Sequence, residues 1–304
     1  MMKKILFILL AFCLISTGKL FSQEDDLLNM LEEEVGEEKI FTIATFKSTR
    51  IINGQSIERM QSHQLDFRVN HRFGQLNSGA YELWGLDNAI INFCFEYGVT
   101  DWLQVGLRRG TEQKTYDGSL KLSLLRQVES GGKMPVSVSL FADMAINTLK
   151  ITDPNIEDLL KHRLGFTYQL LVAHKFSDKL SLQLSPTFVH KNRVNYYEVN
   201  DIYAIGIGGK FKFHRRISLM AEYFYTSHAV KSEAPNKFYN PLAIGFDIET
   251  GGHVFQLFVT NSKPMVEKGF ISETNGSWLD GGIYFGFNIS RVFAVPRIFK
   301  NHNE

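Results

Sequence analysis

The chain has 304 residues, with 33 Lys and Arg against 32 Asp and Glu, and a formal net charge of +1. That balance excludes the basic footprint of a nucleic-acid binder and a strongly charged membrane-surface patch. Aromatic residues make up 13% of it, with 25 Phe and 11 Tyr beside only 7 Pro, a composition that suits strands facing lipid.

Lys3 and Lys4 precede an apolar run from Ile5 to Ile15, followed by Ser16, Thr17 and Gly18. This predicts a secretory signal peptide over residues 1–23, too short to span a bilayer as a helix and cleaved near Ser22 or Gln23. A lipoprotein signal centred on Cys13 fits less well, because bulky Phe12 stands where a small residue is expected. With Cys13 gone, Cys94 is the one thiol of the mature chain and has no internal partner for a disulfide.

Residues 24–62 form an N-terminal extension, either periplasmic or a plug in the lumen. It opens Glu24-Asp25-Asp26-Leu27-Leu28, and Leu31 and Val35 flank Glu32, Glu33 and Glu34 at helical spacing, which suggests a short acidic amphipathic helix. A solvated leader and a docking handle for a periplasmic protein both fit this pattern.

After the signal, no stretch holds the roughly 18 consecutive apolar residues of a membrane helix. The mean hydropathy of -0.11 agrees. Period-2 alternation recurs instead, the mark of strands whose faces meet different surroundings. From His63 to Phe73 one face reads Leu65, Phe67, Val69, Phe73 and the other Gln64, Asp66, Arg68, Asn70, Arg72. The pattern returns with Ile91, Phe93, Phe95 and Tyr97, with Leu164, Phe166, Tyr168 and Leu170, and with Leu219, Ala221, Tyr223 and Tyr225. It continues to Phe285, Phe287 and Ile289.

A soluble sandwich also alternates, so the connections decide. Tight turns at Gly98-Val99-Thr100-Asp101, Ser177-Asp178-Lys179, His214-Arg215-Arg216 and Thr250-Gly251-Gly252 alternate with longer segments near 147–161, 190–201, 227–238 and 261–278. One end of the sheet is trimmed and the other elaborated, as in outer-membrane barrels with short periplasmic turns and long outer loops. The prediction is an all-β fold, a closed antiparallel up-and-down transmembrane β-barrel over residues 63–293 with about 12 strands, an even number. The Lys39–Arg50 segment also alternates weakly, and a count of 14 needs a further strand that the pattern does not show. Residues 294–304 are a C-terminal tail.

The alternation points Asp66, Glu96, Asp143, Glu222, Asp247 and Asp280 inward, with Arg68, Arg72, Arg108, Lys121, Arg163, Lys175, Lys210 and Lys212. These residues fit either an ion-pair lattice stiffening the wall or a polar conduit for small hydrophilic or weakly anionic solutes. Thr250, Gly251, Gly252 and His253 read as a hairpin turn, and also as a candidate periplasmic contact. The nine His are scattered, and His71 falls on the lipid-facing row. No zinc-ligand spacing, nucleophile elbow or glycine-rich phosphate loop occurs, so no metal, cofactor or catalytic residue is assigned.

The chain resembles a family of outer-membrane β-barrel proteins grouped under a domain of unknown function. The resemblance rests on Phe46-Lys47-Ser48-Thr49-Arg50 with Ile52-Asn53-Gly54-Gln55-Ser56, on Thr250-Gly251-Gly252-His253-Val254-Phe255-Gln256-Leu257, and on Asn288-Ile289-Ser290-Arg291-Val292-Phe293. It implies a barrel in the outer membrane, in contact with its lipid, and supplies no activity or functional residues. A solute channel is the first functional expectation, a structural or docking barrel that anchors a partner is the second, and an outer-membrane hydrolase ranks last.

Overall fold

Strands form where β-branched and aromatic residues alternate with polar ones, because each such segment can turn one row to lipid and the other to the interior. The computed structural model, which describes residues 39–150, 158–227 and 237–295, closes twelve of them into a barrel. The strands are β1 (Gln64–Gln75), β2 (Ala89–Gly98), β3 (Leu103–Gly110), β4 (Tyr116–Leu125), β5 (Ser137–Ile146) and β6 (Leu164–Lys175). They continue as β7 (Leu180–Lys191), β8 (Asp201–His214), β9 (Ile217–Thr226), β10 (Leu242–Thr250), β11 (His253–Thr260) and β12 (Tyr284–Ala294). Each pairs antiparallel with its neighbour in sequence, and β12 closes on β1 with Ile289 opposite Val69 and Phe293 opposite Leu65. Closure leaves no unpaired edge in the wall, which a bilayer would not tolerate.

The count from His63 therefore holds at twelve, and the Lys39–Arg50 segment adds no wall strand. Only Ile40–Phe41 of it pairs as a strand, with Val128–Ser130 in the β4–β5 connection. That small sheet explains why the connection from Gln127 to Met134 is longer than the other turns at its end. The predicted signal peptide, the acidic helix and residues 296–304 of the predicted tail lie outside the described residues.

The outer surface is an apolar girdle. Leu219, Tyr223 and Tyr225 of β9 are exposed while Ser218, Met220, Glu222, Phe224 and Thr226 are buried. His71 lies on the outer row as predicted, stacked on Phe287 with ring centroids 4.7 Å apart. The chain turns tightly at Gly251 and Gly252, whose φ of +34° and +108° are open to glycine and strained for other residues. At that end also lie the β2–β3, β6–β7 and β8–β9 turns and the start of the wall at His63, whose amide donates to the Gly98 carbonyl at 2.9 Å.

The interior is filled from both ends. Residues 42–60 run up the lumen from the short-turn end, with Phe46, Ile51, Ile52 and Ile57 packed on inward Phe141, Leu171, Met220 and Phe258. From the other end the β11–β12 connection, predicted as an outer loop, folds down into the barrel and forms a short helix, α1 (Glu267–Ser272), all of whose residues are buried. Phe270 and Ile271 of α1 pack with inward Val189, Ile202, Ala204 and Phe224. This apolar contact draws the loop inside, where a solvated outer loop would leave it exposed.

Candidate functional site

Nine of the ten residues predicted to line the lumen are inside it: Asp66, Arg68, Arg72, Glu96, Arg108, Lys121, Asp143, Glu222 and Asp247 are each at most 3% exposed. Arg163 is placed elsewhere. Strand β6 begins at Leu164, so the alternation that orients side chains does not reach back to it. Arg163 sits at the rim of the loop end, where its Nε donates to Asp158 Oδ1 at 2.5 Å and its Nη1 donates to the carbonyl of Asn147 at 3.0 Å. Asp280 likewise is an exposed rim residue, its carbonyl accepting from Asn77 at 2.9 Å.

The lumen residues do not mainly pair with one another across the barrel. They grip the 42–60 segment by its backbone. Within that segment Ile51 donates to the Gly54 carbonyl and Ser56 to the Thr49 carbonyl, both at 2.9 Å, forming a tight hairpin. Its turn aims three amides at one carboxylate: Glu222 accepts from Asn53 at 2.7 Å, Gly54 at 3.0 Å and Ile52 at 3.2 Å. A buried carboxylate is tolerated where several donors replace its water.

Carbonyls on the same segment are taken by wall cations and amides. Lys121 Nζ donates to the carbonyls of Glu58, Ser56 and Thr49 at 2.9, 3.0 and 3.2 Å. Lys210 Nζ donates to the Ala44 carbonyl at 2.7 Å, Gln183 to that of Gln55 at 2.7 Å, and Gln256 to that of Ile51 at 2.7 Å. Arg68 reaches the hydroxyls of Ser48 and Thr49 at 2.5 and 2.9 Å while pairing with Asp66 at 3.0 Å. Backbone groups are thus satisfied from β4, β7, β8, β9 and β11 at once.

The two insertions meet at Glu267. Its carboxylate accepts from Arg50 of the hairpin at 2.8 Å, from Gln55 at 2.8 Å, and from Arg108 of the wall at 2.6 Å. Arg108 also pairs with Asp143 at 2.5 Å and with Asp117. Arg72 links the same two pieces, donating to the carbonyls of Pro264 at 2.8 Å and Ser262 at 3.0 Å and to the side chain of Asn53. The middle of the barrel is therefore one charge-paired knot made of wall, hairpin and loop.

Sequence reasoning named neither Arg50 nor Glu267 among the lining residues, because both lie outside the wall strands that alternation orients, although a lumen plug was one of the two places it gave residues 24–62. It also missed the inward apolar residues Phe141, Leu171, Met220, Phe224 and Phe258. The available signal was their position on otherwise polar rows, which makes sense only when something apolar fills the lumen. The predicted turn contact, Thr250 to His253, is a solvent-facing hairpin at the short-turn end, and adjacent Glu249 pairs with Lys47 of the lumen segment at 2.9 Å. Among the described residues no group of His, Cys, Asp and Glu is disposed to hold a metal ion.

A closed up-and-down sheet with an apolar outer girdle and a polar interior defines a membrane-bound β-barrel. The chain belongs to the membrane-bound beta barrel domain family DUF5777, which it matches over residues 46–293. That match begins within the lumen segment, so the hairpin belongs to the family's domain together with the wall. No curated protein matches the chain in sequence. Among solved structures it is similar to the KdgM porin, at 9% identity over 76% of this chain and 99% of that chain, with a TM-score of 0.45. It is similar also to the NanC porin, at 6% identity over 75% and 98% with a TM-score of 0.44. A third is an outer membrane channel from Pseudomonas putida F1, at 10% identity over 78% and 97% with a TM-score of 0.46. These likenesses concern barrel architecture alone.

Proposed function

We propose that the protein is an outer-membrane barrel enclosing a closed conduit for small hydrophilic solutes, with residues 42–60 as the closure. The observation that carries this reading is the way the closure is held. Wall side chains such as Glu222 and Lys121 bind its main chain, so a polar, donor- and acceptor-lined surface remains when the segment leaves. A wall built only for rigidity would pair its charges internally, as Arg108 does with Asp143.

The closure does not open by chance. Each hydrogen bond contributes about 0.5–1.5 kcal/mol net, and each buried apolar side chain such as Phe46 or Ile52 about 1.5–3 kcal/mol. With more than ten such contacts, withdrawal costs on the order of 10 kcal/mol or more, a population below about one in a million at rest. Passage therefore requires work supplied from the short-turn side, which the reading places in the periplasm and where Ile40 and Ile43 are exposed.

Planar-bilayer recording on the refolded mature chain tests this. The intact protein is silent, and a variant lacking residues 39–60 shows discrete conductance steps. A Lys121→Met, Glu222→Gln double variant, which keeps the segment but loosens its seat, gives intermittent openings. Silence of both variants, with heat-modifiable migration proving that they fold, overturns the conduit.

A second reading, a docking barrel, is favoured by the tightness of the same seat: a segment anchored this firmly can transmit force from a periplasmic protein bound to the extension at residues 24–62. In that case removing the extension abolishes capture of the partner, and conductance never appears. Neither reading assigns catalysis to the chain.

A further inference from the structure

At the rim of the loop end, with Lys268 of α1 in its lining, lies a cavity of about 500 Å³, within the range of small-molecule sites. Arg163, Lys191, Arg193 and Lys268 line it together with two carboxylates, Glu198 and Glu273. Both carboxylates are committed to one cation. Lys191 Nζ stands 3.0 Å from Glu198 and 3.6 Å from Glu273, and Asn195 donates to Glu198 at 2.6 Å. Arg163 is taken by Asp158.

Two of these cations remain. Arg193 is exposed at the mouth, and Lys268 lies on α1 at only 7% exposure. Among the described residues neither forms a salt bridge or donates a side-chain hydrogen bond. The Lys268 stem is laid across Gly165 of β6, where any Cβ would come within 2.6 Å of its Cδ, so the glycine opens the path that carries the ammonium into the cavity. A cation held in a mostly dry place without a counter-charge is unfavourable until an anion arrives.

We propose that this vestibule binds a soluble small molecule carrying two or more carboxylate or phosphate groups, one met by Lys268 and another by Arg193. Fixed charge at Lys191 is already neutralised, so the ligand's charge is read by Lys268 and Arg193, with exposed Lys150 adding to the positive field and Asn147 and Gln113, bonded to each other at 3.2 Å, offering their remaining polar atoms to the rest of the ligand. The same chemistry could come from a lipid headgroup. The inner part of the vestibule lies within the ring of strands, with Lys191 buried at the last residue of β7 and Lys268 on buried α1, whereas lipid lies outside the ring. A soluble source follows. The site does not require residues 42–60 to move and stands independently of the conduit reading.

Isothermal titration calorimetry on the full barrel in phosphatidylcholine nanodiscs tests it, with citrate and pyrophosphate as probes and maltose as the neutral control. Saturable binding of at least one anion, with no heat from maltose, is expected, weakening as salt is raised. Lys268→Met lowers affinity about tenfold and Lys268→Arg restores part of it, while Arg193→Gln lowers it severalfold. Arg193 is exposed, so its variant carries the test if Lys268→Met fails to migrate as a folded barrel. Absence of saturable binding of both anions to the folded wild type overturns the proposal, as does affinity unchanged in the variants. Adding lipopolysaccharide to the nanodiscs leaves the affinity unchanged; complete displacement of the anion by it overturns the soluble source.

Discussion

The two pieces that fill the lumen are held by different balances of contact. The hairpin at residues 49–56 is held mainly by its backbone, with Glu222, Lys121, Gln183 and Gln256 of the wall answering amides and carbonyls that its own turn does not. The loop carrying α1 is held mainly by its own side chains, Phe270 and Ile271 in an apolar pocket and Glu267 on two arginines, with Arg72 on the carbonyls that precede the helix. Backbone-held chain can leave without exposing an apolar face of its own beyond Phe46 and three isoleucines. Side-chain-held chain cannot, and it is tied to the wall at both ends through β11 and β12. On the proposed reading the difference separates a closure from a floor: the hairpin is the part that moves, and the loop is the part that stays.

Breaking that distinction starts with the floor. Phe270→Ala removes a fully buried ring stacked edge-on against Phe224 at 5.3 Å and costs about 3–5 kcal/mol. Unfolding in urea-containing micelles, followed by loss of heat-modifiable migration, reads it directly. Glu267→Ala is of similar size, about 3–5 kcal/mol, because it strands the Arg50 guanidinium, 1% exposed, without a carboxylate. It alone is expected to loosen hairpin and loop together, seen as faster amide exchange in both. Exchange confined to one of them would mean that the knot at Glu267 is not shared.

Glu222→Gln is the selective counterpart. It weakens three charge-assisted bonds to the hairpin turn and touches nothing in α1, for a loss of about 1.5–3 kcal/mol. Amide exchange at Ile52, Asn53 and Gly54 should rise while that of residues 267–272 stays as in the wild type. Equal acceleration of both would show that the hairpin has no independent mobility, and would remove the physical basis of the closure.

Much of this architecture was legible because a barrel wall obeys a local rule. Alternation places Asp66, Arg68, Glu96 and Glu222 inward from their own strands, and no knowledge of the neighbours is needed. The rule stops where strands stop, which is why Arg163, one residue before β6, was placed in the lumen and is found at the rim. It is also silent about chain that enters the lumen, since Arg50, Asn53 and Glu267 are positioned by contacts 19 to 217 residues away in sequence. Inward Met220 and Phe224 on β9, like Phe141, Leu171 and Phe258 on their strands, broke otherwise polar rows and were the local trace of what fills the barrel.

The smallest predicted effect concerns Arg163 itself and sharpens the boundary between lumen and rim. Hydrogen bonding to its guanidinium holds the Asp158 carboxyl below the usual aspartate range. A carboxylate whose folded pKa is depressed contributes its stabilisation above the unfolded value and loses it as pH falls through the folded one. At the exposed rim the contribution is small and open to screening by salt. Carbon-13 NMR of Asp158 should therefore show titration below that of a free aspartate, moving toward the ordinary value in Arg163→Gln and also when salt is raised to about 1 M, where the Debye length is about 3 Å. A titration indifferent to salt would place the pair in a shielded, lumen-like setting, and Arg163 would then belong with the lining residues after all.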